Sequence, residues 1–211
     1  MFRRNNKQLA EYEAAARMLQ WRFIPEGDKS LISWLKDFRL LKTGSSRLVA
    51  PMLMYKGHEM EHTCVFDYVY TVSTGKSSQT FKQTVYFRYS KALALPHFIL
   101  MPERWYHRLG TYFGMQDIDF VEYPIFSKNY LLQGKDEDYI RYHFDHPEMI
   151  RFFDQQGSIS MEGMNYLFIL YSHNVQLPHD QIVEFVKVGD LLHDYLADKT
   201  PDIHLPDINY E

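Results

Sequence analysis

Cysteine is nearly missing from this 211-residue chain: Cys64 stands alone, and no Asn-x-Ser/Thr acceptor occurs anywhere. One thiol cannot close an intrachain disulfide, so nothing points to an oxidising, secreted setting, and a reducing cytoplasm is the expected location. Glycine and proline are also sparse, at 10 and 9 residues, which excludes collagen-like, linker-like and low-complexity classes. Long apolar runs are missing as well. The longest charge-free stretches, 92–102 and 163–179, contain Pro, His, Asn, Gln or Ser and fall short of the roughly 20 apolar residues that a spanning helix needs. No membrane-spanning segment is therefore expected. The opening Met1-Phe2-Arg3-Arg4-Asn5-Asn6-Lys7 runs into Glu11, Glu13 and Arg17 where a secretory leader would carry an apolar core.

What the chain does have is aromatic and apolar bulk. Sixteen per cent of it is Phe, Trp or Tyr, 45% is apolar, 24% is charged and the net charge is -4, enough for a packed core and too little charge excess for disorder. Its charge is split along the chain: residues 1–100 hold 15 Lys and Arg against 8 Asp and Glu, for +7, and residues 101–211 hold 8 against 19, for -11. Two halves packing with complementary surfaces explain this most simply, because fields between exposed charges are screened within about 10 Å. A basic face for an anion or nucleic acid, using Arg3, Arg4 and Lys7, is the alternative. No arginine-rich run or RNA-binding aromatic signature accompanies it.

Apolar spacing sets the elements. Leu9, Tyr12, Ala16 and Leu19 recur at helical spacing over 7–20, with Glu13 four residues before Arg17 as a surface pair. After Pro25-Glu26-Gly27-Asp28, a second helix is predicted through Leu31, Trp34, Leu35, Phe38 and Leu41, capped by Asp28 or Ser30 and broken at Thr43-Gly44. From Arg47 the period becomes two. Cys64, Phe66, Tyr68, Tyr70 and Val72 alternate with Thr63, Val65, Asp67, Val69 and Thr71, and Phe81 to Tyr89 alternate likewise, predicting antiparallel strands with one face more solvated than the other. Further strands are expected at 97–101, 117–121 and 130–132, and helices at 103–114, 136–143 and 147–155. Ser158 to Glu162 and Met164 to Tyr171 predict a hairpin turning at Gly163, its second strand buried on both faces. A long helix follows Pro178 to about Asp198, with Ile182, Phe185, Val186, Leu192 and Leu196 on its apolar stripe.

No repeat of 20–50 residues and no Gly-, Ser- or Pro-rich linker divides the chain. The expected fold is a single α+β domain over 1–198, a mostly antiparallel sheet with N-terminal amphipathic helices and a long C-terminal helix packed on it. The tail 199–211, with Pro201-Asp202-Ile203 and Pro206-Asp207-Ile208, is expected to be loosely docked or disordered.

The succession Trp21-Arg22-Phe23, Phe38 to Gly44 with Arg47, Phe66-Asp67-Tyr68-x-Tyr70, Gln83-Thr84-Val85, Leu95-Pro96-x-Phe98 to Pro102-Glu103, Asp117-Ile118-Asp119-Phe120, Phe126 and Glu162-Gly163 resembles a group of uncharacterised bacterial domains of unknown function. The resemblance spans most of residues 15–195 and implies an α+β domain of prokaryotic type, with no activity, cofactor or catalytic residue to carry over. Some such domains sit beside membrane segments, and no such segment is expected here.

Several strings could carry chemistry. His58-Glu59-Met60-Glu61-His62 satisfies both the H-E-x-x-H and the H-x-x-E-H zinc patterns, which need both imidazoles on one helical turn and a Glu as base to a bound water. Here the string follows Gly57 and runs into the alternating strand. Residues four apart on a strand sit about 13 Å apart, too far for one ion, so a turn and a strand start are expected instead. Gly75-Lys76-Ser77 copies the end of a phosphate loop, but a strand and not a helix follows it. His143-Phe144-Asp145-His146, His179-Asp180 and His193-Asp194 echo metal-hydrolase pairs and read as helix-end or surface groups. Cys64 near His62 reads as core, since a nucleophile also needs an orienting group and oxyanion donors. Asp117 and Asp119 are expected on one side of a strand, where Glu122 and Asp67 could join them; exposed acids answering the basic half account for them.

No catalytic, cofactor or metal residue is assigned from these strings. The reading they leave is a non-enzymatic cytoplasmic binding or interaction domain with a protein partner or a second copy of itself. Its rivals are a metal-dependent hydrolase on the His58–His62 string and an anion binder on the basic N-terminal half.

Overall fold

Alternating residues of the long strands bury apolar side chains on two opposite faces, and the whole architecture follows from that. The computed structural model describes residues 6–56, 61–73, 75, 77–104 and 116–198. The chain runs α1 (Asn6–Leu19), β1 (Arg22–Ile24), α2 (Lys29–Trp34), α3 (Arg39–Lys42), β2 (Ser45–Lys56), β3 (His62–Ser73), β4 (Ser78–Tyr89), β5 (Leu95–Pro102) and β6 (Gln116–Asp117). It continues through α4 (Pro124–Asn129), β7 (Tyr130–Gly134), α5 (Glu137–Phe144), α6 (Pro147–Gln156), β8 (Ile159–Asn165), β9 (Leu167–Ser172) and α7 (His179–Asp198). The strands form one sheet in the order β1-β2-β3-β4-β9-β8-β5-β7-β6. Every pairing in it is antiparallel. The fold is thus α+β, with helices at the N-terminus and a long C-terminal helix, as the periodicities predict.

The predicted solvated face is corrected. On β3, every residue from Thr63 to Tyr70 is buried. Val65 joins a cluster with Tyr12, Tyr86, Phe185 and Leu192, beneath α1 and α7. Cys64, Phe66, Tyr68 and Tyr70 join another with Leu31, Leu35, Phe38 and Leu41, beneath α2 and α3. Helices on both sides exclude water from the central strands, and burying each such large side chain contributes roughly 1.5–3 kcal/mol. The same cover makes β9 a strand buried on both faces, as expected.

Three other expectations shift. The predicted helix through Leu41 is two short helices, α2 and α3, separated at 35–38; its apolar residues still point inward, but Trp34 is 51% exposed. The β8–β9 hairpin turns at Asn165-Tyr166, Asn165 taking φ +52°. Gly163 lies inside β8 because the Phe98 ring occupies the space above it, where a Cβ would come within 2.3 Å. The strand expected at 117–121 ends at Asp117, and Ile118 is buried in a loop whose amide donates to the Leu132 carbonyl at 2.9 Å. Helix α4, begun by Pro124 at its first turn, was not among the expected elements. The helix expected at 103–114 and the tail 199–211 fall wholly or mostly outside the described residues.

No helix among the described residues is long and apolar enough to cross a membrane.

Candidate functional site

An acid at an inward strand position must find donors or lose its charge, and Asp67 does part of each. The period of two places it on the face covered by α1 and α7, at 1% exposure. From α1, the Tyr12 hydroxyl donates to its Oδ1 at 2.8 Å; from β4, the Thr84 hydroxyl donates to the same oxygen at 2.9 Å. The Gln176 side-chain amide, from the segment leading into α7, donates to Oδ2. Burial pushes this carboxyl from 3.8 up to about 6, against the pull of those three bonds. Burial also pushes the Tyr12 hydroxyl far up, helped by the carboxylate beside it.

Thr84 connects this cluster to an open cleft. Its Oγ1 accepts the Leu177 amide at 2.9 Å, and the Gln8 side chain of α1 donates to the Leu177 carbonyl at 3.3 Å. Thr84 and Leu177 together line a cleft of about 460 Å³ between the first half of α7, the 173–178 segment and the start of β8. Ile159, Val175, Leu177, Phe185 and Val188 supply its apolar surface. Thr84, Gln156, Ser158, Ser172 and Gln181 supply hydroxyls and amides without charge, and Glu184 is the single ionisable lining residue. Glu184 is held by Lys187 at 2.7 Å. The volume lies within the range of about 300–1,000 Å³ usual for small-molecule sites. No His, Cys or Lys stands among the lining residues beside these hydroxyls.

A second buried carboxylate, Glu162, lies on the opposite face. It accepts the Arg39 amide at 2.6 Å, the Leu40 amide at 3.0 Å and the Tyr171 hydroxyl at 2.8 Å. These bonds and the nearby Arg39 guanidinium lower its affinity for a proton, but burial dominates and raises it. Glu162 therefore ties the first turn of α3 to the sheet.

The sequence candidates scatter. His58, Glu59 and Met60 lie outside the described residues, as do Arg3, Arg4 and Lys76. Glu61 accepts from Arg88 and from Ser90, each at 2.8 Å, and His62 opens β3 opposite Tyr89. The Nδ1 of buried His143 donates to the Tyr139 carbonyl at 3.0 Å, and the His146 ring lies 4.2 Å from that of Tyr195. At the start of α7, the His179 amide donates to Glu11 at 2.9 Å, and its Nδ1 lies 2.6 Å from the same oxygen. His179 thereby holds Glu11 below the usual carboxylate range. His193 bridges Asp194 and Ser90, both at 3.1 Å. Cys64 is buried at 2% exposure. Asp117 and Asp119 are exposed, and Asp117 is pushed up by partial burial and by Asp119. Asp67 does not join them, because it is enclosed by α1 and the 173–178 segment. No group of three or more His, Cys, Asp or Glu among the described residues could hold a metal ion.

Sequence reasoning singled out Asp67 for the wrong partnership and missed Gln176, Gln181 and Phe185 as parts of one site. The available signal was an acid within a run of inward apolar and aromatic residues.

The chain matches no protein-family model and none of the curated proteins. Its structure is similar to the crystal structure of the mycobacterial trehalose monomycolate transport factor A, TtfA, with a TM-score of 0.67 at 10% sequence identity. The likeness covers 95% of this chain and 100% of that one, and at that identity it shows a shared fold.

Proposed function

We propose that the chain is a non-enzymatic binding domain of a reducing, cytoplasmic compartment, and that the cleft along α7 takes a small uncharged amphiphile. The observation that carries this reading is the composition of the lining: five apolar side chains face five neutral hydroxyl and amide side chains, and the one carboxylate is already paired. Such a surface suits a ligand with an alkyl part and neutral hydrogen-bonding groups. An anionic head would lose hydration there without gaining a partner, and a cationic one would find only Glu184, which Lys187 already contacts in an exposed pair. The likeness to a transport factor supports binding over catalysis.

The test is an amide NMR titration with octyl glucoside below its micelle concentration, beside octyl phosphate and octyltrimethylammonium. The neutral probe should shift the Leu177, Gln181 and Phe185 amides and exceed both charged probes in affinity, and Val188→Glu should remove the response. Equal response to all three probes, or shifts elsewhere alone, would sink this reading.

A further inference from the structure

On the face opposite the cleft lies a second hollow, of about 190 Å³, lined by Asp28, Ser30, Leu31, Trp34, Met54, His62, Cys64 and Phe87. Strand register builds its floor. Met54, Cys64 and Phe87 stand side by side on β2, β3 and β4, and one row further out His62 pairs with Tyr89. Helix α2 lays Trp34 across this outer row: its ring meets His62 edge-on at 6.1 Å and Tyr89 edge-on at 6.0 Å. Tyr166 extends the row, meeting Tyr89 at 6.4 Å. Trp34 and Tyr166 remain 51% and 49% exposed, so a contiguous aromatic surface stays open to a partner.

One carboxylate, that of Asp28, stands on the lip of this hollow. Asp28 caps α2 by accepting the Ser30 amide at 2.8 Å, and no ion pair among the described residues involves it. A carboxylate without a cation, set beside a half-exposed indole over an apolar floor, is complementary to a side chain with a methylene stem and a cationic head. The stem fills the floor, the head rests against the ring face and the carboxylate neutralises it. A space of 190 Å³ holds one such side chain and not a helix. We propose that this face is an interaction surface for a protein partner that inserts a lysine or arginine side chain between Asp28 and Trp34. The surface is separate from the cleft along α7, so either reading can fail alone.

The test uses N-acetyl-lysine methylamide and its uncharged norleucine counterpart, read at the Trp34 indole N–H and the Met54 methyl by NMR. The lysine probe should bind at least about fivefold more tightly than norleucine, the range of one cation–π contact with a neighbouring charge. Asp28→Asn keeps the helix cap, since Asn caps as well as Asp. It should reduce the preference for lysine to the roughly two- to fivefold that an exposed ring face alone supplies and leave norleucine unchanged. Trp34→Ala, at a half-exposed position, should abolish the response of the Met54 methyl to both probes while the amide spectrum stays folded. Norleucine binding as tightly as lysine, an Asp28→Asn variant whose preference for lysine is undiminished, or no shift at either reporter would overturn the proposal. Shifts of the Trp34 indole on diluting the protein alone would place a second copy of this chain on the rings instead, and would equally overturn it.

Discussion

Replacing Asp67 by asparagine should change how the stability of this protein depends on pH. In the folded state burial holds the carboxyl near 6, against an ordinary value of 3.8, so the folded chain binds a proton that the unfolded chain releases. The sign follows from linkage: a raised carboxyl favours folding below the unfolded value, and that advantage is lost as pH rises from about 4 to about 6. The span from 3.8 to about 6 corresponds to about 3 kcal/mol. The side chain of the Asp67→Asn variant cannot titrate. Its oxygen still accepts from the Tyr12 and Thr84 hydroxyls, and its amide faces Gln176, which can turn its own oxygen to accept. Urea denaturation of both proteins at intervals between pH 4 and 7.5, followed by circular dichroism, isolates this group as the difference between the two curves. Asp67→Asn should gain on the parent by about 3 kcal/mol across that range and change little above it. Parallel curves, or a parent that gains on the variant as pH rises, would refute the reasoning, because the carboxylate would then be favoured by its three donors over its own burial.

Other expectations follow from the same packing. Glu162→Ala removes the acceptor for two backbone amides of α3 and the Tyr171 hydroxyl, so it should cost on the order of 3 kcal/mol or more in thermal or urea unfolding. A loss below about 1 kcal/mol would mean that α3 is held by its apolar residues alone. Gly189→Ala places a Cβ within 2.3–2.5 Å of the Tyr86 ring, which is buried and donates its hydroxyl to Asp190 at 3.0 Å. Overpacking there should destabilise by roughly 1–3 kcal/mol, and an unchanged melting temperature would show that α7 can lift off β4 at no cost. Elemental analysis of untagged, chelator-washed protein should find zinc, manganese, iron and calcium far below one per chain. Near-stoichiometric zinc that disappears in His58→Ala and His62→Ala would support the metal-hydrolase alternative over the binding domain proposed here.

Local pattern made much of the fold legible. Strand alternation over 63–72 and 81–89 and the stripe of α7 each depend on side chains a few residues apart, so the sequence alone located those elements, though not that both faces of β3 are dry. The Asp28 cap was legible for the same reason, its oxygen reaching an amide two residues on. Signals that depend on distant chain were not. Nothing near Gly163 announces the Phe98 ring that requires a glycine there, so the glycine read as a turn while the real turn fell at Asn165-Tyr166. The apolar spacing of 31–41 is the same for one helix as for two short ones, and contact with the sheet beneath chose the latter.

The candidate sites belong almost wholly to the second category. Asp67 receives bonds from residues 55, 17 and 109 positions away, and Glu162 from residues 122 and 123 positions away. The cleft combines β4, the start of β8 and α7, and the aromatic hollow combines α2 with three strands. The sequence by itself determined the periodicities, the capping chemistry, the single thiol and the supply of aromatic and neutral polar side chains, because each is a property of short stretches of chain. Only the tertiary structure decided which faces are dry, which acids are enclosed and which side chains share a pocket, because burial and donor supply come from elements that meet only when the sheet closes between its two helical layers.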